Sequence, residues 1–268
     1  SWVLCSGFTR TGRPFTAGTS RCRCYLMLHG RHEAPPNCTN ERLALRHGVP
    51  ADDAFQRINK LPRRRWTRRD VRLAVRRLTK RLRTTKGTRT LWPDQAIALS
   101  EIEWYGGIAG GIRVSGGKTT IAFLAGTLWP ELQRPLLICP SKSIRTGKVS
   151  TAYAEERHHW RVRRDYSWIS FHDLQRKEQA RYLHTLRPQL IVIDEAHHAG
   201  RYNSSRTKRI RRYLRDYPDT VVIVLTGSLI ASRVLNDSLN LIHWARGEAS
   251  PLPLPSEKLT QRYWKLAL

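Results

Sequence analysis

The pattern of apolar and polar positions divides the chain at about residue 91. Beyond it, short apolar runs alternate with stretches of helical period. Residues 108–114 predict a strand running into a Gly-rich turn, and 119–128 a helix ended by Trp129-Pro130. Residues 135–139 and 168–170 predict further strands. Residues 173–186 predict one helix that stops before Pro188, and 208–213 a basic helix. Residues 190–193 and 221–225 are unbroken apolar runs, as strands covered on both faces of a parallel sheet require. This alternation predicts an α/β domain with a central, mostly parallel sheet and helices on both faces. The Pro-rich stretch at 251–255 reads as a connection, so that 251–268 begin a linker.

Upstream the pattern differs. Thr67 and Asp70 have the spacing of a capping box. Val71, Val75, Leu78 and Leu82 then follow at steps of four, three and four, which is one apolar stripe of a helix. Arg69, Arg72, Arg76, Lys80 and Arg83 fall off the stripe. Residues 60–90 hold 14 Lys or Arg and a single acid, Asp70. Such a helix can dock by its stripe and leave a solvated polar face, or that face can contact phosphates. The sequence leaves both readings open. Residues 61–90 form this basic segment and 91–250 the α/β domain. Residues 1–60, without periodicity over most of their length, read as an N-terminal appendage of unassigned role, ordered or disordered.

Charge narrows the partners. The 268 residues carry a formal net charge of +27, with a pI of about 11.0. An excess this large points to a polyanion, usually nucleic acid. Only 10 of the 48 basic residues are lysine; a GC-rich genome also produces such a bias, so charge alone does not decide. No apolar run reaches the roughly 18 residues of a membrane span, and the N-terminus lacks the order of a signal peptide. A cytoplasmic protein of a bacterial or phage-infected cell, without a membrane partner, is expected. The five cysteines are odd in number, against a disulfide framework. Cys22, Cys24, His29, His32 and Cys38 do not have the spacing of zinc ligands. The chain opens on Ser1, its one methionine is Met27, and it reads as a piece of a longer protein.

Two motifs carry chemistry. Ser115-Gly116-Gly117-Lys118-Thr119-Thr120 lies between a predicted strand and helix. Small residues there let backbone N–H groups converge on phosphates, and the helix N-terminus adds its dipole. Lys118 would reach the β- and γ-phosphates of ATP, and the Thr119 hydroxyl would ligate Mg²⁺. The strict pattern wants glycine at 112, where this chain has Ile112. The second motif is Asp194-Glu195-Ala196-His197 at the end of an apolar strand, the edge where open α/β sheets bind ligands. Asp194 would hold Mg²⁺; Glu195 would orient and deprotonate the attacking water. Trp104 and Tyr105 fit aromatic core packing better than stacking on a base.

Together these residues resemble motifs I and II of superfamily 2 helicases of the DEAD/DEAH type. Weaker matches occur in the family's order. The segment Leu91-Trp92-Pro93-Asp94-Gln95 resembles the one whose glutamine reads adenine. Leu136 to Pro140 with Ser141 and Lys142 resembles motif Ia, which meets the nucleic-acid backbone. Leu225-Thr226-Gly227-Ser228 resembles motif III, which couples hydrolysis to strand contacts, with His197 as its link to motif II. Trp168 to Phe171 and the basic run Ser205 to Arg209 are similar to phage-encoded and Snf2-like helicases. Ser115 stands where many members have glycine. The resemblance covers about residues 67–250. It implies a RecA-like P-loop domain that, in the intact protein, couples ATP hydrolysis to movement on nucleic acid, DNA rather than RNA. It also implies a second RecA-like domain, carrying arginine fingers, that these 268 residues do not supply; slow hydrolysis by this piece alone is therefore expected. The competing readings are a non-catalytic basic nucleic-acid-binding module and the translocating subunit of a restriction-type enzyme.

Overall fold

The computed structural model describes residues 2–3, 65–113, 115–199, 203–227, 235–247 and 250, with backbone only for 2–3 and 235–238. In chain order the elements are β1 (Trp2–Val3), α1 (Arg68–Leu82), α2 (Pro93–Tyr105), β2 (Ile108–Gly111), α3 (Lys118–Leu128) and β3 (Leu136–Cys139). Then follow α4 (Ser141–Arg145), α5 (Lys148–His159), β4 (Ser167–Ser170), α6 (Phe171–Gln175), α7 (Tyr182–Leu186) and β5 (Leu190–Asp194). Last come α8 (Ser205–Asp216), β6 (Val221–Thr226) and α9 (Leu235–Arg246).

One sheet runs in the order β1-β2-β6-β5-β3-β4. Strands β2 to β6 are mutually parallel; β1 pairs antiparallel with β2, Trp2 opposite Gly111. Successive strand residues point to opposite faces, and here both faces are covered. Leu136, Ile138, Ile191, Ile193, Val222 and Val224 share one core cluster with α6, α7, α8 and α9. Leu137, Cys139, Leu190, Val192, Ile223 and Leu225 share the other with α1, α2 and α3. That double burial is why 190–193 and 221–225 read as unbroken apolar runs. The α/β architecture with helices on both faces is the one the alternation predicts.

The capping box at the head of α1 is present: the Thr67 hydroxyl accepts from the Asp70 N–H, and the Asp70 carboxylate accepts from the Thr67 N–H, both at 3.1 Å. Leu78 and Leu82 are wholly buried, whereas Val71 and Val75 are half-buried. The helix therefore docks by its stripe into the core cluster that also holds α2 and α3. Trp66, just before it, stacks on Trp104 of α2 with ring centroids 5.4 Å apart and donates to Glu101 at 2.7 Å. Trp104 thus packs within the fold.

Three expectations need correction. Residues 173–186 are not one helix. α6 ends at Gln175, Arg176 is extended, and a 3₁₀ turn at Lys177–Gln179 precedes α7. The Arg209 guanidinium of α8 takes the carbonyls of Leu174 and Arg176, acceptors a continuing helix would need. The strand expected over 108–114 ends at Gly111; the Ile112 N–H still reaches Thr226 O at 2.8 Å before the chain turns. The basic helix expected over 208–213 runs from Ser205 to Asp216 because Ser204 caps it, its hydroxyl accepting from the Thr207 N–H. The expected linker at 251–268, the Cys22–Cys38 cluster and nearly all of 1–60 lie outside the described residues. No helix among the described residues is long and apolar enough to cross a membrane.

Candidate nucleotide site

The parallel strands end at one edge of the sheet. Register places Gly111 opposite Thr226 and Asp194 opposite Leu225. The turn after β2 and the acidic end of β5 therefore flank the end of β6. Between them and α5 lies a cleft of about 900 Å³. Ser115, Gly117, Lys118, Thr119, Asp194 and Glu195 all line it.

The turn that enters α3 is tightly specified. Gly117, at φ +77°, begins the helix, and a side chain there would collide with the Gln95 amide. A Cβ at Gly116 would sit 2.8 Å from Ile112 Cγ2 and 2.9 Å from Arg113 O. Ser115 holds φ +63°, a left-handed conformation that a side chain adopts at a cost. Ile112 is compatible with the loop: its side chain is buried in the core, and only its carbonyl faces Lys118, whose Nζ donates to it at 3.4 Å. Position 112 is not in the left-handed region, so the conformation of the turn does not require glycine there.

Lys118 is 9% exposed, and its ammonium lies 3.2 Å from Glu195 Oε1. The other Glu195 oxygen is 3.4 Å from His197 Nδ1. Glu195 itself has φ +51°, a strained turn directly after β5 that directs its carboxylate across the cleft. Asp194, just behind, accepts from the Glu195 N–H at 3.0 Å. Burial, with the Glu195 charge beside it, pushes the Asp194 carboxyl up to about 6 despite the opposing pull of Lys118. His197 Nδ1 also lies 3.3 Å from the Thr226 hydroxyl at the end of β6. Close polar contacts thus run from Lys118 to Glu195 to His197, and a hydrogen bond joins His197 to Thr226.

The remaining expected residues are placed less directly. The Gln95 carbonyl accepts from the Trp92 N–H at 2.8 Å, capping α2, while its amide nitrogen lies against Gly117. Thr120 is buried at the cleft wall, and its hydroxyl donates to Glu156 of α5 at 2.9 Å, so it braces α3 against α5. Thr119 is exposed in the cleft. Ser141 and Lys142 open α4 beyond β3; it is Ser143 of that helix that reaches the cleft wall. Gly227 is exposed after β6, and Ser228 lies outside the described residues.

Sequence reasoning missed part of the wall. Arg89, Glu155, Glu156 and Trp160 also line the cleft. Arg89 pairs with Glu155 and approaches Glu156 at 3.6 Å. Burial raises the Glu156 carboxyl above its ordinary value, against its hydrogen bond from Thr120 and the charge of Arg89. Cys139 lies on the floor as a buried thiol, pushed up to about 12 by burial and the Asp194 charge. No spacing in the sequence ties α5 to α3.

The donor set suits a hard cation. Among the described residues no group of three or more His, Cys, Asp or Glu side chains gathers as a metal cage. A hydroxyl and one crowded carboxylate, Thr119 and Asp194, fit Mg²⁺, which keeps waters and phosphate oxygens as its other ligands.

No family model matches the chain, and no curated protein does. Among solved structures it is similar to a Sulfolobus solfataricus SWI2/SNF2 ATPase core in complex with dsDNA. The identity is 18%, over 62% of this chain and 38% of that one, with a TM-score of 0.46. The chain thus spans well under half of that protein's length.

Proposed function

We propose that the chain contains the ATP-binding, RecA-like domain of a superfamily 2 type motor that couples ATP hydrolysis to movement on nucleic acid, DNA in preference to RNA. The observation that carries this reading is the convergence of Lys118, Asp194 and Glu195, from two separate strand ends, on one cleft at the C-terminal edge of the sheet. The preference for DNA rests on the likeness of the sequence to Snf2-like helicases.

In this reading the loop at Ser115, Gly116 and Gly117 cradles the phosphates of ATP, with the N-terminus of α3 behind it. Thr119 and Asp194 would hold Mg²⁺, which neutralises charge on the β- and γ-phosphates. Without nucleotide, Lys118 and Glu195 neutralise each other across the cleft. A phosphate competes for Lys118 and so releases the Glu195 carboxylate to orient and deprotonate water. His197 then reports the state of Glu195 to Thr226 at the end of β6. Gln95, beside Gly117, is the candidate reader of adenine.

The test is ATP binding by calorimetry with and without Mg²⁺, for the native chain and for Lys118→Ala. Mg²⁺-dependent binding that the variant weakens on the order of 10- to 100-fold, the worth of a lost hydrogen bond from a charged group, supports the reading. No binding by the native chain rejects it.

A further inference from the structure

α1 presents two basic flanks with opposite fates. On one, Arg77 and Arg81 both reach Glu103 of α2, Arg77 at 2.7 Å. On the other, Arg72, Arg76 and Lys80 follow at successive steps of four and line an open groove of about 780 Å³. Arg83 and Arg161 close one end of it. No carboxylate stands among the groove's described lining residues, and among the described residues none of Arg72, Arg76 and Lys80 pairs with an acid.

The opposite wall, residues 84–91, is built rather than loose. Thr84 N–H donates to His159 O at 3.0 Å, Leu91 N–H to the Thr79 hydroxyl at 3.1 Å, and Arg161 N–H to Leu82 O at 2.8 Å. Gly87 packs so closely on the His159 carbonyl and on Arg83 that any side chain there would collide. The wall thus holds a fixed distance from the stripe. Thr90 lines both this groove and the nucleotide cleft, so the two are neighbours.

We propose that this groove holds the sugar-phosphate backbone of a nucleic acid, without sequence preference and without need of nucleotide in the cleft. Eight residues of helix span about 12 Å, over which one strand of a duplex presents three to four phosphates at roughly 3.4 Å each. Three cations over that length, about 6 Å apart, suffice to offset about three of those phosphates without matching them one to one. Arginine forks and threonine hydroxyls are the groups that contact phosphates and fix register without reading bases. The described lining offers cations, threonine hydroxyls and the apolar Val71 and Val75, with no Asn, Gln, Asp or Glu, so contact with phosphates rather than with base edges is expected of it. The proposal stands on these side chains and not on the reading of the cleft.

The experiment is a salt titration of affinity for a short labelled duplex of arbitrary sequence, without nucleotide, by fluorescence anisotropy. The full chain is compared with Arg72→Gln/Arg76→Gln/Lys80→Gln. A control, Arg181→Gln/Lys208→Gln/Arg212→Gln, removes as many exposed charges from the α7 and α8 side of the sheet. The groove variant should weaken binding on the order of 100-fold at ~0.1 M salt and make the slope of log K against log salt shallower by about 2.7, which is 0.9 for each of three phosphates. The control should shift both far less. Equal losses in the two triple variants, or no loss in the groove variant, would overturn the proposal. So would polyglutamate competing as well as the duplex at equal charge. An unchanged thermal unfolding temperature of the groove variant checks its fold, and Lys118→Ala, a change confined to the cleft, should keep full duplex affinity. A failure of the cleft reading therefore cannot be mistaken for a failure of the groove.

Discussion

The nucleotide cleft and the α1 groove share the wall at Thr90 yet treat charge in opposite ways. In the cleft each charge is met at once: Lys118 by Glu195, Glu195 by His197, Asp194 by burial that raises its carboxyl to about 6. In the groove Arg72, Arg76 and Lys80 stand exposed in a row with no acid among its described lining residues. The nearly buried Lys118 ammonium is little screened by water, so its pairing with Glu195 is large and specific. Solvent and salt make each groove cation weak, so only their sum matters. On the proposed function the cleft is unlocked by its ligand, whereas the groove, as proposed, takes a polyanion with or without nucleotide. Single substitutions should therefore be decisive in the first region and additive in the second.

The sharpest way to break this contrast is Glu195→Gln. Loss of a positioned general base should lower Mg²⁺- and duplex-dependent phosphate release on the order of 10²- to 10⁴-fold, with duplex affinity unchanged. If duplex affinity fell alongside, the two regions would not be separable.

Asp194→Asn should be nearly as large in free energy, and of unexpected sign. The carboxyl moves from an ordinary 3.8 to about 6 on folding. The folded chain then holds its proton more tightly than the unfolded chain, so stability falls as pH rises from about 4 to about 6. A displacement of about two units corresponds to roughly 3 kcal/mol at neutral pH. Replacing the acid by a neutral amide should recover much of this. Thermal unfolding of the nucleotide-free variant should occur at higher temperature than native at neutral pH, and the gap should close below about pH 4. Stabilisation by Mg²⁺ and ATP should be lost in the same variant. A lower melting temperature at neutral pH would show that Asp194 is not held under strain.

The link from His197 to Thr226 should matter less. A neutral hydrogen bond is worth about 0.5–1.5 kcal/mol. Thr226→Val should thus reduce the stimulation of hydrolysis by duplex several-fold and leave ATP affinity as it is. A change in ATP affinity with unaltered stimulation would place Thr226 in binding rather than in coupling.

Much of this was legible because burial on two faces leaves an unmistakable trace. β5 and β6 lie between two core clusters and so are apolar throughout. Thr67 and Asp70 announced α1 by a contact three residues long. What stayed hidden depends on partners far away in sequence. α5 buries only Val149 and Glu156, so it shows no apolar stripe, and it supplies part of the wall of the cleft. The break between α6 and α7 is set by Arg209, over thirty residues downstream. Ile112 looked like a defect in the phosphate loop, yet only its carbonyl serves the site. The two flanks of α1 are equally basic in the sequence; Glu103, twenty-two residues beyond Arg81, distinguishes them.

That last distinction gives the smallest effect and the finest test. Burial pushes the Glu103 carboxyl up, but hydrogen bonds and charge from Arg77 and Arg81 outweigh it and hold the group below its ordinary value. A depressed carboxylate stabilises the fold above its unfolded pKa, and the benefit is lost as pH falls through the folded value. Both arginines are well exposed, so the pairs should be worth no more than about 1 kcal/mol at neutral pH. Arg77→Gln/Arg81→Gln should therefore lower chemical-denaturation stability slightly at neutral pH and not at all in strong acid. Its salt slope for duplex binding should change far less than in the groove variant, by no more than about one phosphate's worth, because Glu103 already offsets one of the two charges. Should the slope fall as much as in the groove variant, the phosphate row would wrap both flanks of α1, and the division of the helix into a paired and an open face would be lost.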